Sequence, residues 1–316
     1  MHIKTLRNLG ATLDMTSGRV KNNKIAEELR IRGNKAFTLN EDPSTVAEFY
    51  TGSIAFALPA SQQLSFGYAN RSAVLFNAQN YKDCLLDIER SFVAGYPDNL
   101  KAKLYARKVR CLIALKKSKT EIQRALEETK RALIDMDSKA PGRVLVEKTL
   151  KDKDHLAPEL IQGFPKKPKA FKPVIKDETC DISGATGVTI KYSKKYGRHI
   201  VATRDIEPGE IIATTEIYAK GRSQHKRYRE CAQCAKRTMA GLPCDHCPNV
   251  VYCSFTCRDK AWAEYHETEC PILGILYDLE IPTSTLLGIR VTLRALHEAG
   301  GVFGLRMMLK KLDSNS

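Results

Sequence analysis

The sequence has one tryptophan, Trp262, and no apolar stretch near the length of a membrane span. No membrane partner is expected. It also lacks a basic start followed by an apolar run, so nothing marks it for secretion. Acid is the scarcer charge: 36 Asp and Glu stand against 51 Lys and Arg, a formal net charge of +15 in 316 residues. That surplus favours acidic protein partners, such as peptide tails or histone-like surfaces. Nucleic acid is disfavoured, because no basic stripe interleaved with aromatics marks a module for it.

What the chain does have is a run of soft metal ligands. Cys231-x2-Cys234-x9-Cys244-x2-Cys247-x5-Cys253-x3-Cys257-x8-His266-x3-Cys270 holds eight of them. Eight is two tetrahedral zinc shells. A Cys-x2-Cys turn points both sulfurs at one ion. The four-residue steps from Cys253 to Cys257 and from His266 to Cys270 predict pairs that share a helix face. The large apolar residues of the segment are Met239, Leu242, Val250, Val251, Tyr252, Phe255, Trp262 and Tyr265, too few for a core of their own. Metal supplies the difference, at roughly 10–16 kcal/mol apparent for a structural zinc.

Disulfides are the competing reading. The metal-type spacing and the missing leader set it aside. Protein fills every coordination position, so no catalytic water has a place and both ions are expected to be structural. His246 lies inside a complete Cys-x2-Cys pair and is read as a solvated side chain. Spacing alone leaves open which pairs share an ion. The pattern resembles the MYND zinc finger, and the resemblance implies interleaving. One zinc takes Cys231, Cys234, Cys253 and Cys257; the other takes Cys244, Cys247, His266 and Cys270. Trp262 and Tyr265 match aromatic positions common in that finger, packed over the metal knuckles. With seven thiolates and two zinc ions counted, the net charge is about +12. The other cysteines, Cys84, Cys111 and Cys180, stand alone and are expected as buried free thiols. The expected compartment is reducing, cytoplasmic and nuclear.

The predicted class is multidomain α+β. Residues 1–22 read as a flexible lead-in. Residues 23–155 read as helical repeats with a period near 35. Three stretches match and are each expected to open a helix: Arg30-Ile-Arg-Gly33-Asn34-Lys-Ala-Phe37, Tyr68-Ala-Asn70-Arg71-Ser-Ala-Val-Leu75, and Leu104-Tyr-Ala-Arg107-Lys-Val-Arg-Cys111. Second helices follow, carrying Val46, Tyr50, Ser53 and Ile54, then Cys84, Ile88 and Ser91, then Ala125 and Leu126. Glu41 to Thr45 reads as an insertion. Ser118-x-x-Glu121 reads as a capping box opening the helix that closes the stack. The repeats resemble the tetratricopeptide (TPR) type, which stacks into a solenoid with a concave groove. Arg30 and Asn34, Asn70, and Lys103 and Arg107 fall on leading helices, where four-apart residues share a face. This set resembles the carboxylate clamp that grips acidic C-terminal tails of chaperones. Charge-assisted bonds to carboxylates are the required chemistry.

Residues 156–179 form a linker of Pro and Lys. From 180 to 230 three strands are predicted: Gly187–Tyr192, His199–Thr203 and Glu210–Ile217, with Pro208-Gly209 central in a type II turn. Residues 231–270 are the finger, and 271–316 are apolar helices. Strand, Gly197-Arg198-His199, strand, Asp-Ile-x-Pro-Gly-Glu, then an inserted finger resembles the opening of a SET domain. With repeats in front, the chain is similar to the TPR-bearing subtype of the SET-and-MYND protein-lysine methyltransferases. That resemblance implies methyl transfer from S-adenosylmethionine to lysine on a protein substrate. It also implies that backbone groups at Gly197, Arg198 and His199 contact the cofactor. A SET enzyme also needs an Asn-His stretch and a late tyrosine. No histidine here follows an asparagine, and after the finger only Tyr277 occurs. These residues are therefore expected to carry only the first part of the SET apparatus and to be inactive alone. The alternative is a non-enzymatic zinc-binding adapter.

Overall fold

The computed structural model describes residues 20–151, 182, 184–214, 217–221 and 224–314. The 156–179 linker, Cys180 and most of the lead-in lie outside the described residues. The chain divides into two compact units, 1–164 with 222–283, and 165–221 with 284–316.

The first unit holds the helix repeats and the finger. Among the described residues seven α-helices precede the finger: α1 Asn23–Thr38, α2 Pro43–Phe56, α3 Gln62–Asn77, α4 Tyr81–Val93, α5 Asp98–Ala114, α6 Lys119–Ile134 and α7 Arg143–Lys151. Their starts are fixed locally. Asn22 accepts from the Lys24 and Ile25 N–H groups, Asp42 from Thr45 with Pro43 just inside the helix, and Ser61 from Leu64. Each cap satisfies a donor that the first turn leaves without a partner. The Ser118–Glu121 capping box is complete. Antiparallel pairs form as α1 with α2, α3 with α4, and α5 with α6.

The pairing matches the repeats, but three details differ from the sequence reading. The matched stretches do not open their helices; they start six or seven residues into them. They recur because their small residues mark helix crossings, not starts. A Cβ on Gly33 would lie 2.7 Å from Tyr50 Cε1, so only glycine lets α2 come this close. Glu41–Thr45 is no insertion, since Asp42 caps α2 and Pro43 begins it. And α6 does not close the stack: α7 follows, and its Val146 shares a cluster with Ala102, Ala106, Ala132 and Met136.

The finger is built onto these repeats. Tyr228 and Val251 join Ala26, Ala55, Phe56 and Ala57 in one cluster. Ala240 joins Ala69, Leu75, Cys84, Ile88, Leu104 and Cys111 in another. Fully burying a residue such as Ile88 or Leu75 stabilises by about 1.5–3 kcal/mol. Cys84 and Cys111 are free and buried, with sulfurs 3.4 Å apart, and Cys84 donates to the Ser72 carbonyl. Burial pushes the Cys84 thiol far up from its ordinary range. Within the finger, strands β3 Leu242–Pro243 and β4 Val251–Tyr252 pair antiparallel, and helices α8 Phe255–Ala261 and α9 Leu273–Asp278 follow.

In the second unit, β1 Val188–Ser193 and β2 Gly197–Ala202 form an antiparallel hairpin, with Ile190 opposite Ile200 and Ser193 opposite Gly197. (These strands precede β3 in the chain.) The third predicted strand is not formed over its described residues, 210–214 and 217. Among the described residues only Ala213 bridges, to Ala185, and Gly184 and Gly187 at φ +75° and +68° bend the partner segment away from a ladder. The Pro208-Gly209 turn is present, with Gly209 at φ +87° and the Glu210 N–H on the Glu207 carbonyl. Helices α10 Thr283–Glu298 and α11 Val302–Ser314 complete the chain. Tyr218 donates to Glu298 at 2.9 Å, and Arg290 donates to the Lys220 carbonyl at 2.8 Å. Ile190, Ile200 and Phe303 are left exposed. No described helix is long and apolar enough to cross a membrane.

Candidate metal centres and groove

The eight soft ligands gather into two sets: Cys231, Cys234, Cys253 and Cys257, and Cys244, Cys247, His266 and Cys270. Zn–S bonds near 2.3 Å in a tetrahedron require sulfurs about 3.8 Å apart, and a Zn–N bond shortens the mixed edge to about 3.6 Å. Cys234 to Cys253 and Cys253 to Cys257 are each 3.6 Å, and Cys244 to Cys270 is 3.9 Å. Cys247 Sγ to His266 Nε2 is 3.6 Å. Both sets thus have the dimensions of zinc sites.

Local sequence explains each arm. The first knuckle closes because Ala235 adopts φ +52° and its N–H reaches the Cys231 carbonyl. In the second knuckle the His246 N–H points at Cys244 Sγ, 3.4 Å away. Ser254 caps α8 by accepting from the Cys257 N–H. Cys253 therefore precedes the helix, and the expectation that Cys253 and Cys257 share a helix face is corrected: a capped helix start brings them together. Beyond α8 the helix widens to a π turn over Trp262–His266, with the Glu267 N–H bonded to the Trp262 carbonyl. The extra residue shifts the helix phase between Cys257, which faces the first set, and His266, which faces the second.

The electrostatics favour an ion. Hydrogen bonds from Cys247 and Cys270 hold the Cys244 thiol far below its usual range, and those to Cys244 and Cys270 drive Cys247 far above it. Packed thiols cannot all ionise without a cation. A divalent ion makes every sulfur a thiolate. His266 Nδ1 lies 3.2 Å from Glu269 Oε2, both side chains almost fully buried, so Nδ1 carries the proton and Nε2 is left for the metal. Glu269 was missed in the sequence, although its place three residues after His266 was the available signal. Lys21 donates to the Ala55 carbonyl, and its ammonium feels Cys244, Cys247 and Cys270. His246 is exposed and outside both sets; its ring lies over Trp262 at 4.7 Å. Tyr265 is buried and donates to the Ala232 carbonyl behind the first knuckle.

The groove candidates are partly gathered. Asn70 Nδ2 donates to Asn34 Oδ1 at 2.8 Å, and the Tyr50 hydroxyl donates to the same oxygen at 2.9 Å. Burial pushes the Tyr50 hydroxyl up to about 12, with Arg30 and Arg107 both near enough to oppose the shift. Arg30 pairs with Glu27 and Gln63 and lies over the Phe66 ring. Arg107 donates to the Ala69 carbonyl and Ser72 Oγ, with no carboxylate partner among the described residues. Lys103 lies apart, against the turn at Gly142, and makes no ion pair among the described residues. Tyr50, expected from the sequence on a packing face, thus bonds as well as packs.

The hairpin candidates sit at the start of β2. Gly197 has φ +62°, and a Cβ there would meet nothing within 4 Å. Arg198 is exposed, and His199 Nδ1 is 2.9 Å from the Gly197 carbonyl.

Comparison with known proteins adds the lineage. The MYND finger family matches residues 231–270. Protein-lysine N-methyltransferase SMYD4 of Mus musculus is 31% identical over 301 residues, covering 85% of this chain and 36% of its own length. The Homo sapiens SMYD4 is 30% identical over 279 residues, covering 80% of this chain and 34% of its own length. A SET and MYND domain-containing protein of Dictyostelium discoideum is 27% identical over 111 residues, 31% of this chain and 29% of its own. The chain thus spans about a third of the length of the SMYD4 relatives it matches. No solved structure matches it. The two zinc-sized Cys/His sets lie within the matched MYND finger, and with 30–31% identity to SMYD4 over four-fifths of its length or more, the chain belongs to the SMYD4 type of the SET-and-MYND family.

Proposed function

We propose that the chain is the partner-binding part of a protein-lysine N-methyltransferase that uses S-adenosylmethionine and acts in cytoplasm and nucleus. Its helix repeats, of tetratricopeptide type, hold the acidic C-terminal tail of a chaperone. Two structural zinc ions keep the finger folded. The hairpin at Gly197, Arg198 and His199 lends one edge of the cofactor pocket, where an open glycine backbone and an adjacent cation suit a carboxylate-bearing cofactor. Residues 1–316 contain no Asn-His stretch and no tyrosine after Tyr277. Methyl transfer to a lysine-containing substrate is therefore assigned to a longer form and not to these residues alone.

The observation that carries the groove reading is the cluster around Tyr50. Asn34 and Asn70 meet there, and Arg30 and Arg107 act on the same hydroxyl. Arg107 has no carboxylate partner among the described residues, whereas Lys103 lies apart at the Gly142 turn. An uncompensated cation beside fixed amides suits a peptide that ends in a carboxylate, with Lys103 left to reach it from the side. The close packing of repeats and finger in one compact unit favours a second reading, an adapter without chemistry.

The test is calorimetric titration of an acidic tail peptide ending Glu-Glu-Val-Asp into the full chain. Micromolar binding that weakens with salt and disappears when the peptide's C-terminus is amidated is expected. Equal binding of the amidated peptide, or undiminished binding by a folded Lys103→Glu, Arg107→Glu variant, overturns the reading.

A further inference from the structure

We propose that the zinc finger sets the amides of the repeat groove through Met239 and Tyr50, so that zinc loading and groove occupancy are linked. The proposal rests on the groove reading above for its ligand, but not for its first readout.

Asn34 Oδ1 accepts from both the Tyr50 hydroxyl and Asn70 Nδ2. An amide oxygen has two lone pairs, so it is saturated and the Asn34 side chain is fixed in one orientation. Asn34 Nδ2 is left as a donor and Asn70 Oδ1 as an acceptor, without protein partners among the described residues. A donor and an acceptor side by side match the C=O and N–H groups of an extended peptide. The orientation depends on Tyr50, because without its hydroxyl Asn34 keeps only one of two bonds and can turn.

Tyr50 is held from two directions. On one side its ring lies against Gly33, where any Cβ would fall 2.7 Å from Cε1. On the other it belongs to the cluster of Ala36, Val46, Ala47 and Val74, against which Met239 of the finger packs. Tyr50 is only 2% exposed. Met239 is part of the shell around the cluster that encloses Tyr50, so removing it loosens that cluster.

Met239 lies in the chain between the two metal sets. It sits between the first knuckle, which ends with the Cys231 N–H on the Lys236 carbonyl, and Cys244 of the second set. The Thr238 N–H bonds to the Arg229 carbonyl. Beyond Met239, the Ala240 carbonyl accepts from Arg90 and the Gly241 carbonyl accepts from Arg71. Loss of the first ion frees the start of this segment, and loss of the second frees its end. Either loosens Met239, then Tyr50, then the amides. Linkage is reciprocal, so a groove ligand would tighten zinc by the same factor. Changes along such a contact chain can shift coupling by roughly twofold to thirtyfold.

The test is an NMR measurement of Asn side-chain amides in the zinc-loaded full chain, labelled with 15N at asparagine. Wild type and Met239→Leu should show separate, slowly exchanging signals for Asn34 and Asn70. In Met239→Ala those signals should move toward free-amide positions and exchange faster, with zinc content and helicity unchanged. Tyr50→Phe, which keeps the ring and removes only the hydroxyl, should do the same at Asn34. Affinity for the acidic peptide should fall by roughly threefold or more in Met239→Ala and return in Met239→Leu. Unchanged amide signals in Met239→Ala would overturn the linkage, as would a Tyr50→Phe spectrum identical to wild type. If wild type bound no peptide while its amides still responded to Met239→Ala, the groove reading would fall and the linkage would stand.

Discussion

Arg71 grips Asp87 with two parallel hydrogen bonds, Nε to Oδ2 at 2.7 Å and Nη2 to Oδ1 at 2.9 Å, and neither side chain reaches solvent. The third nitrogen, Nη1, donates to Thr51 Oγ1 and to the Gly241 carbonyl. One guanidinium therefore joins α2, α3, α4 and the finger. Burial works against its charge, but the Asp87 carboxylate outweighs it and raises the Arg71 pKa. Removing one partner of a buried pair costs about 3–5 kcal/mol. Arg71→Met and Asp87→Leu should each lose that much in denaturant unfolding followed by helical signal. The double variant should recover part but not all, because the Gly241 carbonyl and Arg90 each lose a partner. If either single variant lost less than about 1 kcal/mol, the pair would not be a structural tie.

The two metal sets differ in shielding. Cys234 is exposed and Cys253 and Cys257 are half-buried, whereas Cys244, Cys247, His266 and Cys270 are all buried. Elemental analysis should give two zinc per chain, and a chelator should remove them in two phases, the first set sooner. Glu269→Gln should speed the slow phase by roughly tenfold to a hundredfold and spare the fast one, since a carboxylate behind a ligating histidine sets its basicity. A single equivalent of zinc, or a fold indifferent to chelation, would rule out the assignment.

Glu121 is held below its ordinary 4.5 by hydrogen bonds from the Ser118 hydroxyl and N–H. A depressed carboxyl stabilises above its unfolded pKa, and the contribution disappears as pH falls through the folded one. The melting temperature of the wild type should therefore fall between about pH 5 and the depressed value more steeply than that of Glu121→Gln. Parallel pH profiles would show that the box contributes nothing to the fold.

Methyl transfer is not expected from residues 1–316 alone. Radiolabelled S-adenosylmethionine with histones or a peptide library is the assay. Turnover above background that vanishes with Gly197→Arg would show that these residues carry chemistry the proposal withholds from them.

What could be read beforehand was whatever depends on short spacing. Eight ligands at metal intervals placed the finger, and Ser118 with Glu121 gave the start of α6 to the residue. Helix crossings recur at a readable period, but the matched stretches lie inside their helices and do not open them. What escaped depends on distant partners. The Arg71–Asp87 pair joins two helices, and its importance lies in full burial, which periodicity does not report. Met239 looked like one of the few apolar residues of the finger, yet it packs against the repeats. The expected third strand had the right residues, but Gly184 and Gly187 deny it a straight partner. Lys103 shares a helix with Arg107, yet the turn at Gly142 draws its side chain elsewhere.

The bond from Arg71 to Gly241 spans 170 residues of sequence. A ribosome adding roughly 5–20 residues per second needs roughly 10–30 s to travel that distance. For most of that interval, once Asp87 has followed it, Arg71 has Asp87 and Thr51 within reach but no acceptor from the finger. The place later taken by Met239 and Ala240 is still open to water. Emergence of residues 231–270 does not close it at once, because that segment has too little core to fold before zinc arrives. The contacts of α3 and α4 with the finger are thus expected to form only after residues 231–270 have emerged and taken up metal.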